Sequence, residues 1–245
     1  MIITEIGFNH LGKVELANSY VNTLLQSGTD AITFQIREKQ HRESKPQRYL
    51  PDDTFSGIFS KVKNSGKKVG IAIADIEYIS FFENLDVDFY KVIRNDITNM
   101  ELLRKLSETN KVIYVSTGMA SEEEILNFIK QDFVQSGNFR LVHTQLSYSL
   151  EDCNLQSIQS MKKHGIPVAY GSHCRDEVSI FMSLCFSPSD VLFYVKGEED
   201  IEYPDHEHAI RINSVKRIID KIKKARLSIG SGKKEKMINK IEVKR

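Results

Sequence analysis

The sequence of 245 residues predicts a single (β/α)₈ barrel. Segments rich in Val, Ile, Phe and Tyr recur about every 25 to 30 residues, and each precedes a stretch whose apolar residues have helical spacing. Eight such segments are enough to close a parallel sheet and leave no exposed edge. The predicted strands are 2–8, 31–36, 69–74, 89–93, 112–116, 140–144, 167–170 and 191–195.

The stretches between these strands predict amphipathic helices. After the first strand, apolar residues recur at i, i+3, i+4 and i+7, which gives one apolar face that needs a sheet to cover it. These residues are Val14, Ala17, Tyr20, Val21, Leu24 and Leu25. A doubly wound open sheet is the alternative that this pattern leaves open, because it too alternates strands and helices.

Helix boundaries carry signals of their own. Ser121 with Glu124, and Thr98 with Glu101, have the spacing of a capping box, in which a hydroxyl and a carboxylate bond to backbone N–H groups at a helix start. Glycines stand where three helices should end, at Gly28, Gly66 and Gly165. The polar segment 37–53 has no apolar periodicity, and we predict a long loop there, at the mouth of the barrel where active sites lie.

The chain shows no internal repeat beyond the βα period and no Gly/Ser-rich linker before Gly230. We therefore predict one barrel domain over 1–228, followed by a basic tail over 229–245. No apolar run approaches the roughly 20 residues of a membrane helix, and the N-terminus does not have the pattern of a signal peptide. These features predict a cytoplasmic protein that does not bind membranes.

Charge and cysteine content exclude several classes of protein. The 34 Lys and Arg residues nearly balance the 33 Asp and Glu residues, so no overall field would attract nucleic acid. The three cysteines, Cys153, Cys174 and Cys185, lack the paired spacing of a disulfide framework or a zinc ribbon. We predict that they are free thiols.

Short motifs at the strand ends resemble those of the sialic acid synthases in the same order along almost the whole chain. Each motif alone recurs by chance, but six in order on a matching βα frame indicate common ancestry. They are Glu5-Ile6-Gly7-Phe8-Asn9-His10-Leu11-Gly12, Phe34-Gln35, Tyr90-Lys91-Val92, Ser116-Thr117-Gly118-Met119, Leu141-Val142-His143 and Pro204-Asp205-His206.

The resemblance implies an enzyme that condenses phosphoenolpyruvate with the open-chain aldehyde of an N-acylated hexosamine, for surface-glycan biosynthesis. It implies catalytic roles for Glu5, Asp96 and Asp205, and substrate binding by Gln35, Lys91, Ser116 and Tyr148. It also implies a divalent metal, Mn or Mg, with His173 as one ligand, and a homodimer.

Several positions depart from the family pattern. The second metal-binding histidine is missing because Phe193-Tyr194-Val195 replaces Glu-Arg-His, so Asp205, His206 or His208 would have to complete the metal shell. Residues that differ in the phosphoenolpyruvate pocket are Thr33, Asp75, Arg94 and Leu146. Arg94 and Arg37 are candidate replacement cations for substrate binding, because Arg37 shares a strand face with Gln35 and an arginine grips carboxylate or phosphate bidentately.

The C-terminal segment 227–233 resembles the linker that precedes a small antifreeze-like domain in many relatives, and the sequence ends soon after it. We therefore expect the barrel domain alone, with sugar recognition completed without the arginine that this domain lends to a partner subunit.

Two other functions stay open at this stage. In the first, the protein is a non-catalytic member of the family that binds a sugar, a metabolite or a protein partner. In the second, it is a lyase or aldolase in which Lys91 forms a Schiff base.

Overall fold

The computed structural model describes residues 1–135, 137–198 and 200–234, except for the side chains of Arg94 and Asn95. Within these ranges, eight parallel strands follow one another around a barrel, and β1 pairs with β8 to close it. The predicted barrel is confirmed and the open-sheet alternative is wrong. The strands are β1 Ile2–Gly7, β2 Ala31–Ile36, β3 Lys68–Ile73, β4 Phe89–Val92, β5 Val112–Ser116, β6 Phe139–His143, β7 Val168–Ser172 and β8 Val191–Lys196.

Helices cover the outside of the barrel, and a short strand, β9, follows β8 at Ile210–Arg211. No helix in the described ranges is long and apolar enough to cross a membrane. The helices are α1 Val14–Leu25, α2 Lys39–Ser44, α3 Asp52–Asn64, α4 Ile79–Asn84, α5 Met100–Ser107, α6 Glu122–Ile129, α7 Asp132–Gln135, α8 Ser157–Lys162, α9 Val178–Ser183 and α10 Val215–Ile229.

The predicted element boundaries agree closely with the structure. Strands β2 and β5 have the predicted bounds, and the other six differ by one or two residues at an end. Ser121 forms the predicted capping box with Glu124 at the start of α6. The box predicted at Thr98 is wrong, because the Asn99 side chain accepts the hydrogen bond from the Leu102 N–H and caps α5 instead.

The segment 37–53 is not the irregular loop that its polarity predicts. It contains α2 and a 3₁₀ turn at Pro46–Arg48, and α3 begins at Asp52. Helix α2 buries none of its residues, so its sequence has no apolar stripe that could reveal a helix. The predicted tail begins near the end of α10, and residues 235–245 lie outside the described part of the chain.

The barrel has two apolar cores that follow from the alternation of side chains along its strands. Outward-facing residues pack under the helices, as where Phe34 of β2 meets Phe55 of α3 with 5.9 Å between ring centroids. Inward-facing residues form a second cluster in the barrel interior. Its buried members are Ile3, Ala31, Phe89, Tyr114, Val142, Ala169 and Leu192.

A polar layer lies above this inner cluster. Two residues farther along each strand, toward its C-terminal end, the same alternation again aims side chains inward. On β3 and β7 these positions hold Ala72 and Gly171. On or just after the other six strands they hold polar side chains, each of which is buried. They are Glu5, Thr33, Lys91, Ser116, Thr144 and Tyr194. The apolar cluster therefore seals the barrel below the polar layer, which forms the base of any site at the C-terminal mouth.

A substitution at Gly70 in β3 tests how tightly the apolar interior of the barrel is packed. A Cβ atom on Gly70 would lie 2.3 Å from the Phe89 ring, which is buried in the inner cluster. We expect Gly70→Ala to lower the free energy of unfolding by about 1–3 kcal/mol, as overpacking of a tight core does. Urea unfolding followed by circular dichroism measures this change.

Gly57 in α3 is the matched control, because its added Cβ would meet nothing within 4 Å. Gly57→Ala should raise the free energy of unfolding by about 0.5–1 kcal/mol, since alanine favours a helix interior. Equal effects of the two substitutions would contradict the packing described for the barrel interior.

Candidate functional site

A buried ion pair occupies the centre of the polar layer. The Lys91 ammonium donates hydrogen bonds to both carboxylate oxygens of Glu5, at 2.6 and 2.8 Å, and the two side chains are only 5% and 2% exposed. Glu5 lies on β1 and Lys91 on β4, and β2 and β3 separate these strands in the sheet. The side chains therefore meet across the barrel interior.

A cavity of about 380 Å³ opens above this pair at the C-terminal mouth of the barrel. Its walls come from the C-terminal parts of β2, β4, β5 and β8 and from the loops after β4, β5, β6, β7 and β8. This is the position at which (β/α)₈ enzymes carry their active sites. The lining residues are Gln35, Lys91, Ile93, Ser116, Met119, Leu146, Tyr148, His173, Tyr194, Pro204, Asp205 and His208.

Seven of the ten predicted site residues come together here. Gln35, Lys91, Ser116, Tyr148, His173 and Asp205 line the cavity, and Glu5 contacts Lys91 at its base. Arg37 and Asp96 do not line it. The Arg94 side chain lies outside the described part of the structure, so its predicted role stays a prediction.

Two arginines bind carboxylates close to them and do not line the cavity. Arg37 extends two hydrogen bonds to the adjacent Glu38 carboxylate, at 2.8 and 2.9 Å. Arg37 therefore pairs with Glu38 in this structure, and its role in substrate binding stays a prediction. Arg42 on α2 binds the buried Asp75 carboxylate and lies 4.3 Å from the centre of the Tyr78 ring. Asp75 thus has a cationic partner of its own, away from the cavity.

The Asp205 carboxylate is held beside the first strand by backbone contacts. Asn9 accepts a hydrogen bond from the Asp205 N–H at 3.1 Å and donates one to the Val195 carbonyl at 2.7 Å. Gly7, at φ +53°, makes the close approach sterically feasible, because a Cβ there would lie 3.3 Å from an Asp205 carboxylate oxygen. The Gly7 and Asn9 positions of the N-terminal motif thus place a carboxylate that is 198 residues distant from Gly7.

Four rings form one wall of the cavity. The His208 imidazole stacks on Tyr148 at 5.7 Å between centroids, packs edge-on against Tyr194 at 5.2 Å, and lies 4.4 Å from the His173 ring. The Lys91 ammonium lies 5.2 Å from the centre of the Tyr194 ring. Sequence reasoning treated Tyr194 only as a departure from the family. Its inward direction follows from alternation with the buried Leu192, and that signal could have found it.

The described side chains do not form the metal site that the resemblance implies. Val195 stands where the second histidine is expected, and no group of three His, Cys, Asp or Glu side chains in the described ranges is placed to hold a metal ion. His208, not His206, is the histidine beside His173, but their rings are tilted by only 32°. Imidazole nitrogens bind metals in the plane of the ring, so two rings that nearly face each other do not aim at one ion.

The His173 ring is fixed by a hydroxyl group. The Thr144 hydroxyl and Nδ1 of His173 are 2.7 Å apart. This contact orients the ring at the end of β7, next to the cavity.

The Lys91–Glu5 contact disfavours the Schiff-base alternative. The Lys91 nitrogen that would attack a carbonyl group is already engaged with both oxygens of the Glu5 carboxylate.

The fold and the site define a barrel protein with a polar cavity at its C-terminal mouth, and the comparisons with known proteins narrow this class. A model of the NeuB family matches residues 18–234. The chain therefore belongs to the NeuB family.

Several curated relatives of the chain are synthases. The chain is 24% identical to the N,N'-diacetyllegionaminic acid synthase of Campylobacter jejuni, over 96% of this chain and 79% of that protein. It is 22% identical to the N-acetylneuraminate-9-phosphate synthase of Mus musculus, over 96% and 72%. The solved N-acetylneuraminic acid synthetase of Leptospira borgpetersenii serovar Hardjo-bovis has a TM-score of 0.89 at 20% identity, over 97% of this chain and 87% of that one. At that identity the structural likeness shows the fold alone.

The buried ion pair gives a testable consequence for stability. Removing either partner leaves an uncompensated charge inside the barrel, so we expect Lys91→Met and Glu5→Gln each to lower the free energy of unfolding by about 3–5 kcal/mol. The double variant should lose much less than the sum of the two, because it leaves no charge unpaired. Urea unfolding of the four proteins measures this coupling.

The exposed pair of Lys105 and Glu108, 2.7 Å apart, is the control. Its side chains are 52% and 58% exposed, so Lys105→Met should cost less than about 1 kcal/mol. If Lys91→Met cost no more than Lys105→Met, the buried pair would not exist as described.

Proposed function

We propose that the protein is a synthase that condenses phosphoenolpyruvate with the open-chain aldehyde of an N-acylated hexosamine, forming a nonulosonic-type acid. Family membership supports the class of reaction. The single observation that carries the proposal is that the residues which the motifs assign to donor and sugar share one cavity. Lys91 and Glu5 lie at its base, and Gln35, Tyr148 and Asp205 lie in its walls.

The proposed reaction forms one carbon–carbon bond and breaks one carbon–oxygen bond. The methylene carbon of phosphoenolpyruvate attacks the aldehyde carbon, whose oxygen takes up a proton and becomes a hydroxyl group. Water adds to the central carbon of the donor and loses a proton. The bond from that carbon to the phosphate oxygen then breaks, which yields inorganic phosphate and a 2-keto acid.

Lys91 is the group that we assign to the anionic donor. Phosphoenolpyruvate carries a carboxylate and a phosphate, and an ammonium in a water-poor cavity attracts both strongly. The donor would compete with Glu5 for the Lys91 hydrogen bonds, because the ammonium already contacts both oxygens of that carboxylate. A Glu5 carboxylate released in this way can take up a proton from the attacking water.

The polar walls of the cavity suit a sugar. Asp205 accepts hydrogen bonds from hydroxyl groups, and the Gln35 amide both donates and accepts them. Tyr148 is 42% exposed at the mouth, where its ring can cover an apolar face of the acceptor. No step of this proposal passes through a metal ion, because the described side chains do not fit one.

A second candidate is a family member that binds the sugar without condensing it. The distribution of charge favours this candidate. Among the described side chains that line the cavity, Lys91 is the one cationic residue, and it is already neutralised by Glu5. A donor with a phosphate and a carboxylate is ordinarily bound by several cations.

Phosphate release separates the two candidates. The protein is incubated with phosphoenolpyruvate, a divalent metal and N-acetylated hexosamines of manno, gluco and galacto configuration, and inorganic phosphate is measured over time. We expect release that requires one of the sugars, with a 2-keto acid formed in equal amount. Lys91→Met should lower kcat/KM by about 100-fold or more, because it removes the cation that faces the donor.

The control is Lys216→Met on α10, since Lys216 is 66% exposed and lies outside the cavity. It should keep the full rate. Sugar binding without phosphate release from any of the sugars would overturn the synthase and support the second candidate. Equal rates for Lys91→Met and the unaltered protein would remove the role that we assign to Lys91.

A further inference from the structure

The His208 imidazole is a buried polar group that the proposed mechanism does not use. Its side chain is only 5% exposed, yet it lines the cavity beside Asp205 and His173. It lies in the segment between β8 and β9, two residues after the Pro-Asp-His motif. Packing alone does not account for an imidazole here, because a phenyl ring would make the same stacking contacts with Tyr148 and Tyr194.

Neither ring nitrogen of His208 has a hydrogen-bond partner among the described residues. The Asp205 carboxylate lies beside the ring, with its Oδ1 atom 3.9 Å from Nε2. This separation is too long for a direct hydrogen bond. A buried donor or acceptor that stays unmatched destabilises the protein, so the arrangement suits a ligand that supplies the missing bonds.

The hydrogen-bonding groups of His208 and Asp205 restrict the kind of ligand. A neutral imidazole has one N–H donor and one acceptor nitrogen. Asp205 offers acceptors only. A hydroxyl group matches this combination, because its oxygen accepts from the imidazole N–H while its proton is donated to the carboxylate.

The geometry agrees with a bridging hydroxyl group. An oxygen atom about 2.8 Å from each partner spans the 3.9 Å gap between Nε2 and Oδ1. The rings of Tyr148 and Tyr194, which flank His208, offer flat apolar surfaces to the C–H groups of a sugar. A metal ion is less suited to this position, because the rings of His208 and His173 nearly face each other.

We propose that His208 is a sugar-binding residue, which together with Asp205 holds one hydroxyl group of the acceptor. This inference rests on the proposed function for the chemical class of the ligand. It adds a specificity determinant in the loop after β8, two residues beyond the Pro204-Asp205-His206 motif. It also gives a hydrogen-bond partner to Nε2, one of the two unmatched nitrogens of the buried ring.

Two substitutions separate hydrogen bonding from packing. His208→Phe keeps a flat ring but has no nitrogen, whereas His208→Gln keeps a hydrogen-bonding group near the position of Nε2. Each variant is titrated calorimetrically with the same three N-acetylated hexosamines, with phosphoenolpyruvate left out. For the sugar that binds the unaltered protein, we expect His208→Phe to weaken binding about tenfold or more, and His208→Gln to weaken it much less. The exposed His164, outside the cavity, provides the control His164→Gln, which should bind as the unaltered protein does.

Thermal unfolding without ligand distinguishes a role of His208 in sugar binding from a role in packing. His208→Phe removes two unmatched buried nitrogens, so its Tm should equal or exceed that of the unaltered protein. Higher or equal stability together with weaker sugar binding supports the proposal. A fall in Tm that parallels the loss of binding would assign His208 to packing, and equal binding by His208→Phe and the unaltered protein would overturn the proposal.

Deoxy analogues and metal identify the contact. One monodeoxy form of the sugar should bind to His208→Phe and to the unaltered protein with the same affinity. This analogue lacks the hydroxyl group that the His208 imidazole binds in the unaltered protein. Binding that requires manganese and disappears in His208→Phe would assign His208 to a metal and overturn the proposal. The phosphate-release assay fails independently of this test, since a protein that binds sugar through His208 without releasing phosphate disproves only the synthase. Failure of all three sugars to bind would overturn the proposal for His208, and the phosphate-release assay would still decide whether the protein is a synthase.

Discussion

The contact between Lys91 and Glu5 is the constraint on which the arrangement of the site depends. Each of the two charges stabilises the other inside the closed barrel, because a single buried charge without a partner would destabilise the fold. Their contact joins β1 to β4 across the interior and marks the level at which apolar packing ends. Below that level the barrel is a sealed core. Above it, the strand ends and their loops form a polar cavity, and the site lies at the mouth for this reason.

The two sides of the cavity differ in how well they suit a ligand. On the side that we assign to the sugar, Asp205 is fixed by Asn9 and Gly7, and four rings form a wall beside it. On the side that we assign to the donor, Lys91 is the one cationic residue among the described side chains that line the cavity, while Arg37 and Arg42 bind Glu38 and Asp75. This difference indicates that acceptor recognition is the more strongly built half of the site. It is also why a sugar-binding family member remains the rival to a synthase.

Local sequence patterns were sufficient for the fold. Strands β2 and β5 have the predicted bounds because β-branched and aromatic runs end abruptly at polar residues. Helix ends at Gly28, Gly66 and Gly165 were predictable, since each glycine has a positive φ that other residues adopt with difficulty. Helix α2 could not be predicted, because it has no buried face and hence no periodicity.

The site was predictable only where a residue's direction follows from its strand. Lys91 and Ser116 point inward by alternation, and the motifs marked Asp205. The ion-pair partner of each charged side chain was not predictable, because it depends on distances in three dimensions. Arg37 shares a strand face with Gln35, yet Glu38 binds it. His208 was named only as one of three residues that might complete a metal shell, and its two unmatched nitrogens are visible only in the structure.

A crystal structure of the protein with an N-acetylated hexosamine and phosphoenolpyruvate is the most direct test of the central claim, that one cavity above the Lys91–Glu5 pair holds both substrates. We expect electron density for the sugar in contact with Gln35, Tyr148 and Asp205, and an anionic group of the donor within hydrogen-bond distance of the Lys91 ammonium. Sugar or donor bound elsewhere on the protein, with the cavity filled only by water, would contradict it.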